Sequence, residues 1–138
     1  MAVAGRTNRV AFYCRMNHRD KDYTKFLPEV EKMLDEKFGK NNWEMKLFFE
    51  VASGADAKRK EFNRLKAEIK AGNFEAVVTM KASTLARDWQ QFLEFMEVCE
   101  AGEVRVFCIY QPEDAEEIYQ RIKKFKQMYF EGCGMDED

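Results

Sequence analysis

Val10-Ala-Phe-Tyr-Cys14 is an apolar run set between Arg9 and Arg15. A run this short, bulky and walled by charge predicts a strand buried on both faces. Working outward, Arg15 to Lys21 reads as the polar turn that ends it. Pro28 suits the first turn of a helix, along which Val30, Met33, Leu34 and Phe38 recur at helical spacing until Gly39. Trp43 to Val51 mixes aromatics with alternating polar residues and predicts a second strand, after which Ala52-Ser-Gly-Ala-Asp56 reads as a loop. Phe62, Leu65 and Ile69 mark a second amphipathic helix that Gly72-Asn73 terminates. Phe74 to Met80 reads as a third strand, and Lys81 to Asp88 as another loop. Trp89, Phe92, Phe95, Met96 and Cys99 share one helical face, Gly102 is the expected stop, and Val104 to Tyr110 predicts the fourth strand. Pro112 and the carboxylates after it suit the start of a last helix, with Ile118, Ile122, Phe125 and Met128 as its stripe. Strands alternating with helices predict an α/β fold, a mostly parallel four-stranded sheet with helices on both faces. The expected organisation is a flexible N-terminus over 1–8, one domain over 9–131, and an acidic tail over 132–138.

Composition fits that reading. With 138 residues, 46% of them hydrophobic and 35% charged, the chain has the size of one domain and is too short for two. The formal net charge of −2 gives no global attraction to nucleic acid, so weak non-specific DNA binding is the most that charge alone supports. No run approaches the ~20 apolar residues of a membrane span, and no signal peptide is visible at the start, which predicts a cytoplasmic protein without membrane contact. Cys14, Cys99, Cys108 and Cys133 stand singly and read as reduced core thiols. The single His18, among alternating charges, reads as solvated. Neither a metal nor a cofactor is expected.

In a parallel sheet the functional loops follow the carboxyl ends of the strands. The loop after strand one has no glycine, so dinucleotide and P-loop readings fail at their most diagnostic position. Arginines remain. Arg15, Arg59 and Arg87, gathered at one edge, would offer forked donors to a phosphate, and their competing role is in salt bridges to Glu50 or Asp88.

Three strings then line up in order. Tyr13-Cys-Arg-Met-Asn17 lies on strand one; Glu50-Val-Ala-Ser-Gly54 with Arg59 follows strand two; Ser83-Thr-Leu-Ala-Arg87 follows strand three. In this order and spacing they resemble the catalytic domain of the serine recombinases, the resolvase and invertase family, over most of the chain. The resemblance implies that family's fold and places Arg15, Asn17, Ser53, Arg59, Ser83, Thr84 and Arg87 in a phosphate-binding pocket. It also implies two departures. The family's nucleophilic serine, which attacks a DNA phosphodiester, aligns with Asn17, whose delocalised amide cannot attack phosphorus. The family's acidic residue and first arginine after strand three align with Ser83 and Thr84.

The expectation drawn from these departures is a pseudoenzyme, not an enzyme: a binding, regulatory or inhibitory partner of a nucleic-acid-processing complex from a mobile element or phage. Its partner would be a recombinase subunit or a host nucleic-acid-targeting defence complex, with a homodimer as a further form of association. The alternatives are an active phosphodiester-cleaving recombinase with Cys14 or Ser83 as substitute nucleophile, and a small phosphate- or nucleotide-binding domain. Cys14 is weighed against a core role, and Ser83 against a turn or helix cap. On the last helix, Ile122, Phe125, Tyr129 and Phe130 are the interface candidates, because Tyr119, Tyr129 and Phe130 widen the apolar surface beyond one face.

Overall fold

The computed structural model describes residues 7–17, 22–52, 59–85, 88–110 and 114–132. Four strands, β1 (Asn8–Asn17), β2 (Trp43–Ala52), β3 (Ala76–Thr79) and β4 (Arg105–Cys108), form one sheet in the order β2-β1-β3-β4. All three pairings are parallel, with Tyr13 beside Phe48 and Arg15 beside Glu50 in β1–β2, and Phe12 beside Val78 in β1–β3. The helices are α1 (Leu27–Phe38), α2 (Lys60–Lys70), α3 (Ala82–Leu85), α4 (Trp89–Ala101) and α5 (Asp114–Gly132).

Alternation along β1 divides the core. Val10, Phe12, Cys14 and Met16 pack with Val30, Met33 and Leu34 of α1. Ala11 and Tyr13 point the other way, into a second cluster with Phe62, Leu65 and Ile69 of α2, Phe92, Phe95 and Met96 of α4, and Ala115 and Tyr119 of α5. The expected parallel sheet with helices on both faces is therefore what the chain builds. At about 25 cal/mol per Å² of buried apolar surface, these two clusters supply the main drive to fold.

Several boundaries differ from the sequence reading. β1 extends from Asn8 to Asn17, so Arg15 and Asn17 lie in the strand rather than in a turn, and Asn8 is structural rather than part of a flexible end. The cause is pairing: β2 runs beside β1 from Asn8↔Trp43 to Asn17↔Ala52, so polar ends still find ladder partners. Asn8 is buried, and both its amide and its Nδ2 donate to the Asn42 carbonyl. β3 and β4 are shorter than expected, and the supposed loop after β3 contains the single-turn helix α3. A further single turn of 3-10 helix, Tyr23–Phe26, precedes α1, with the Asp22 carboxylate accepting from the Thr24 amide at 3.1 Å. No helix of the described residues is long and apolar enough to cross a membrane.

Candidate active site

The carboxyl edge of the sheet is organised around one guanidinium. Arg59 ends the connection from β2 and caps α2 with φ +48° and ψ +58°, left-handed values that cost a non-glycine residue about 1–3 kcal/mol and persist only where neighbours enforce them. The neighbours here are specific. Nη2 donates to the Tyr13 hydroxyl at 2.8 Å and to the Thr84 carbonyl at 3.4 Å, and Nη1 donates to Gln91 Oε1 at 3.5 Å. The guanidinium lies 3.8 Å from the centre of the Phe62 ring, a cation–π contact inside the core.

Glu50 closes the group. Tyr13 donates its hydroxyl to Glu50 Oε2, and the other carboxylate oxygen accepts the Glu61 amide at 3.3 Å, satisfying one orphan donor in the first turn of α2. Arg59 Nε stands 3.7 Å from Glu50 Oε2, within ion-pair range but too far for a hydrogen bond, and is a buried polar atom without a hydrogen-bond partner. The pair is 8% and 11% exposed at Arg59 and Glu50, so little water screens it. Burial first, and then the hydrogen bond to Glu50, push the Tyr13 hydroxyl well above the usual phenol range, so Tyr13 stays a protonated donor. On the strand side, Thr79 Oγ1 donates to the Tyr13 carbonyl at 2.9 Å. One cluster thus ties β1, β2, β3, α2, α3 and α4 together.

The residues singled out in the sequence divide as follows. Arg59 is central, and Thr84 joins through its backbone. Ser83, beside it on α3, is exposed, and Arg15 is half-buried, two residues beyond Tyr13 on β1. Asn17 is the last residue of β1, opposite Ala52, and its side chain is not described. Ser53, Arg87 and His18 lie outside the described residues, as does Cys133. Cys14 belongs to the α1 face of the sheet, away from Arg59, and is fully buried, so it has no route to a substrate at this edge. Cys99 and Cys108 are buried on the opposite face of the sheet to Cys14, and burial pushes the Cys99 thiol up. The salt-bridge role weighed for Arg59 exists, to Glu50.

Tyr13 and Gln91 were missed as site residues. Tyr13 carried a signal, since a phenol inside a buried strand needs a partner for its hydroxyl; Gln91 carried none. On α5, Tyr119 is only 4% exposed and donates to Glu100 Oε1 at 2.8 Å, which corrects its reading as surplus exposed surface: the ring faces the core and the hydroxyl reaches α4.

The family model of the resolvase N-terminal domain matches residues 10–130. The chain belongs to the resolvase family. No curated protein matches it in sequence. Among solved structures, the resolvase-family domain is similar to the N-terminal catalytic domain of TP901-1 integrase, with 17% identity, a TM-score of 0.64, and coverage of 88% of this chain and 98% of that one. It is also similar to a resolvase family site-specific recombinase from Streptococcus pneumoniae, at 18% identity and a TM-score of 0.57, over 94% of this chain and 95% of that one. A third likeness is to the C-terminal catalytic domain of ISC1926 TnpA, an IS607-like serine recombinase, at 17% identity and a TM-score of 0.55, over 94% and 88% of the two chains. At these identities the structural likenesses establish the fold.

Family membership corrects the expectation that the chain is not an enzyme. The family model is that of the resolvase N-terminal domain and runs over residues 10–130, and two of the similar structures are described as catalytic domains. That expectation rested on the substitutions at Asn17, Ser83 and Thr84, all of which lie within the residues that the family model matches.

Proposed function

We propose that this domain carries out phosphodiester chemistry on the DNA of a mobile element, within a recombinase assembly. The observation that carries this reading is the buried Tyr13–Glu50–Arg59 cluster. An apolar core has no need of a buried ion pair, which is often no better than well-packed hydrophobic residues, so its presence here supports a role in fixing the geometry of the edge. Arg59 is spent on protein partners, which makes it a positioning residue. It ties the end of β1, the start of α2 and the α3 turn together at the edge where Arg15, Ser83 and Thr84 would meet a phosphate.

The Asn17 amide cannot serve as nucleophile, and Cys14 faces the wrong layer. The exposed Ser83 hydroxyl, next to the Thr84 carbonyl that Arg59 holds, is the nucleophile this geometry favours. Its oxygen forms a bond to phosphorus as the bond from phosphorus to one deoxyribose oxygen breaks. That oxygen leaves as a sugar hydroxyl, taking up a proton in exchange for the one Ser83 gives to water.

The test is to incubate the protein with supercoiled plasmid carrying the DNA that flanks its gene, denature, and map any nucleotide adduct by mass spectrometry. An adduct on Ser83, lost in Ser83→Ala, is expected. An adduct on Ser53 would keep the function and reassign the nucleophile. Unchanged plasmid with no adduct on any residue overturns the proposal.

A second reading, regulation of a partner recombinase subunit by binding, is favoured by one observation: Phe125 and Met128 of α5 are 66% and 65% exposed. Co-purification with the active subunit, lost on replacing both residues, would support it.

A further inference from the structure

Two more large apolar side chains stand exposed among the described residues, Trp89 at 61% and Tyr110 at 55%, and both lie at the carboxyl edge of the sheet. Tyr110 follows β4, its amide bonded to the Met80 carbonyl at the exit of β3 at 3.2 Å. Trp89 opens α4 and is firmly seated. The Asp88 carboxylate accepts the Gln90 amide at 2.9 Å and fixes the start of the helix. The indole meets the buried Phe92 ring edge-on, with centroids 5.8 Å apart and planes at 86°. Two residues on, Gln91 is the group that accepts from Arg59. Positions two apart on a helix project about 200° from one another, so the indole and the Gln91 side chain leave the start of α4 in different directions. An exposed indole, backed by the Phe92 ring, therefore stands at the same end of α4 as the residue that meets Arg59.

We infer that Trp89 is a stacking platform for a DNA base adjoining the phosphodiester at this edge, with Tyr110 offering a second ring on the same edge. The inference rests on the proposed function and deepens it: the substrate is DNA with a base turned out of its stack beside the phosphate acted on. The folded core does not require this exposure, because Phe92 already closes the apolar cluster beneath the indole. Every base presents a π face, so stacking contributes affinity irrespective of sequence. It also compensates for weak attraction in a chain with a formal net charge of −2, since stacking, unlike phosphate contacts, releases no counterions and is little affected by salt.

The full chain labelled with 5-fluorotryptophan tests this, because its two tryptophans give two ¹⁹F resonances and Trp89→Phe assigns them. The other, Trp43, donates to Asp35 Oδ1 at 2.9 Å at the amino end of β2, the opposite end of the sheet. Titration with a single-stranded oligonucleotide of about a dozen mixed bases should move the Trp89 resonance and leave that of Trp43 in place. Trp89→Ala should weaken this binding about 5- to 100-fold. The slope of log affinity against log salt should stay unchanged, as no phosphate contact is lost. DNA that binds without moving the Trp89 resonance, or binds Trp89→Ala as tightly as the parent, overturns the platform and leaves the proposed function standing. No binding of single-stranded or duplex DNA at any attainable concentration overturns both.

Discussion

Arg59 carries a full charge into a site where it is 8% exposed, and what holds it there is a hydroxyl, a carboxylate, a carbonyl and two rings. Removing one member of such a group leaves the others buried and unpaired, which costs more than the intact pair contributes. Arg59→Met should therefore lower the unfolding free energy by about 3–5 kcal/mol in urea titration, because Glu50 is left buried without its partner. Combined with Glu50→Gln, much of that loss should return; losses that simply add would mean the two residues do not act as a pair. Tyr13→Phe should cost about 1–3 kcal/mol, since it strips one partner each from Arg59 and Glu50 while preserving the ring. At this scale the sequence disclosed residue types and spacing: the nine-residue interval from Glu50 to Arg59 and the position of Tyr13 were visible. Which donor meets which acceptor was not, because that depends on the left-handed backbone at Arg59 and on Gln91 arriving from a helix 32 residues away in sequence.

Two helices end alike and differ in one residue. At the end of α2, the Asn73 amide bonds the Glu68 carbonyl and the Gly72 amide the Ile69 carbonyl, with Gly72 at φ +81°. The end of α4 repeats both bonds, Val104 to Cys99 and Glu103 to Glu100, but the left-handed residue is Glu103 at φ +58°, while Gly102 has φ −91°. The glycine expected to stop this helix thus sits one place early, and a glutamate takes the strained position. Glu103→Gly should raise stability by up to about 1 kcal/mol, the left-handed penalty it relieves less the extra chain entropy of glycine, whereas Gly72→Ala should lower it by about 1–2 kcal/mol. Thermal or urea melts of the two variants give the signs directly, and a destabilising Glu103→Gly would refute the assignment. Nearby, Lys123 and then Tyr119, both hydrogen-bonded to Glu100, hold its carboxyl below the usual range and link α4 to α5. A depressed carboxylate stabilises the fold above its unfolded pKa, near 4.3, and loses that contribution as pH falls through the lower folded value. Lys123→Met should flatten the acid limb of the stability curve below about pH 5 relative to the parent, with little change near pH 7. Element types and order were legible because period-two and period-3.6 patterns alternate along the chain. The single-turn helix α3 was not, since Ala82 to Leu85 is too short to show a period.

For the whole molecule the question is what α5 does beyond the sheet. Its first half is committed: Ala115 and Tyr119 are buried, Ile118 and Ile122 pack against the same cluster, and the Glu116 carboxylate accepts both the Val106 amide and the Arg105 guanidinium at 2.9 Å. From Lys123 to Met128 every residue is exposed, Phe125 at 66% and Met128 at 65% among them. The helix is 19 residues long, about 28 Å, and the described side chains of its second half, through Met128, are exposed. A short helical stretch with little tertiary packing is marginal in water, and apolar side chains three apart on such a helix form one face suited to a groove or a second helix. The interface candidates therefore separate: Ile122 serves the fold in part, Phe125 and Met128 face solvent, and the side chains of Tyr129 and Phe130 lie outside the described residues. The expected behaviour is concentration-dependent self-association, measurable by sedimentation velocity. Phe125→Ser with Met128→Ser should abolish it, while the melting temperature of the dilute protein stays within a few degrees of the parent's, because neither ring nor thioether is needed to close the core. A parent that stays monomeric at high concentration, together with a double variant that melts well below it, would mean that these side chains stabilise the domain and that α5 makes no contact between copies.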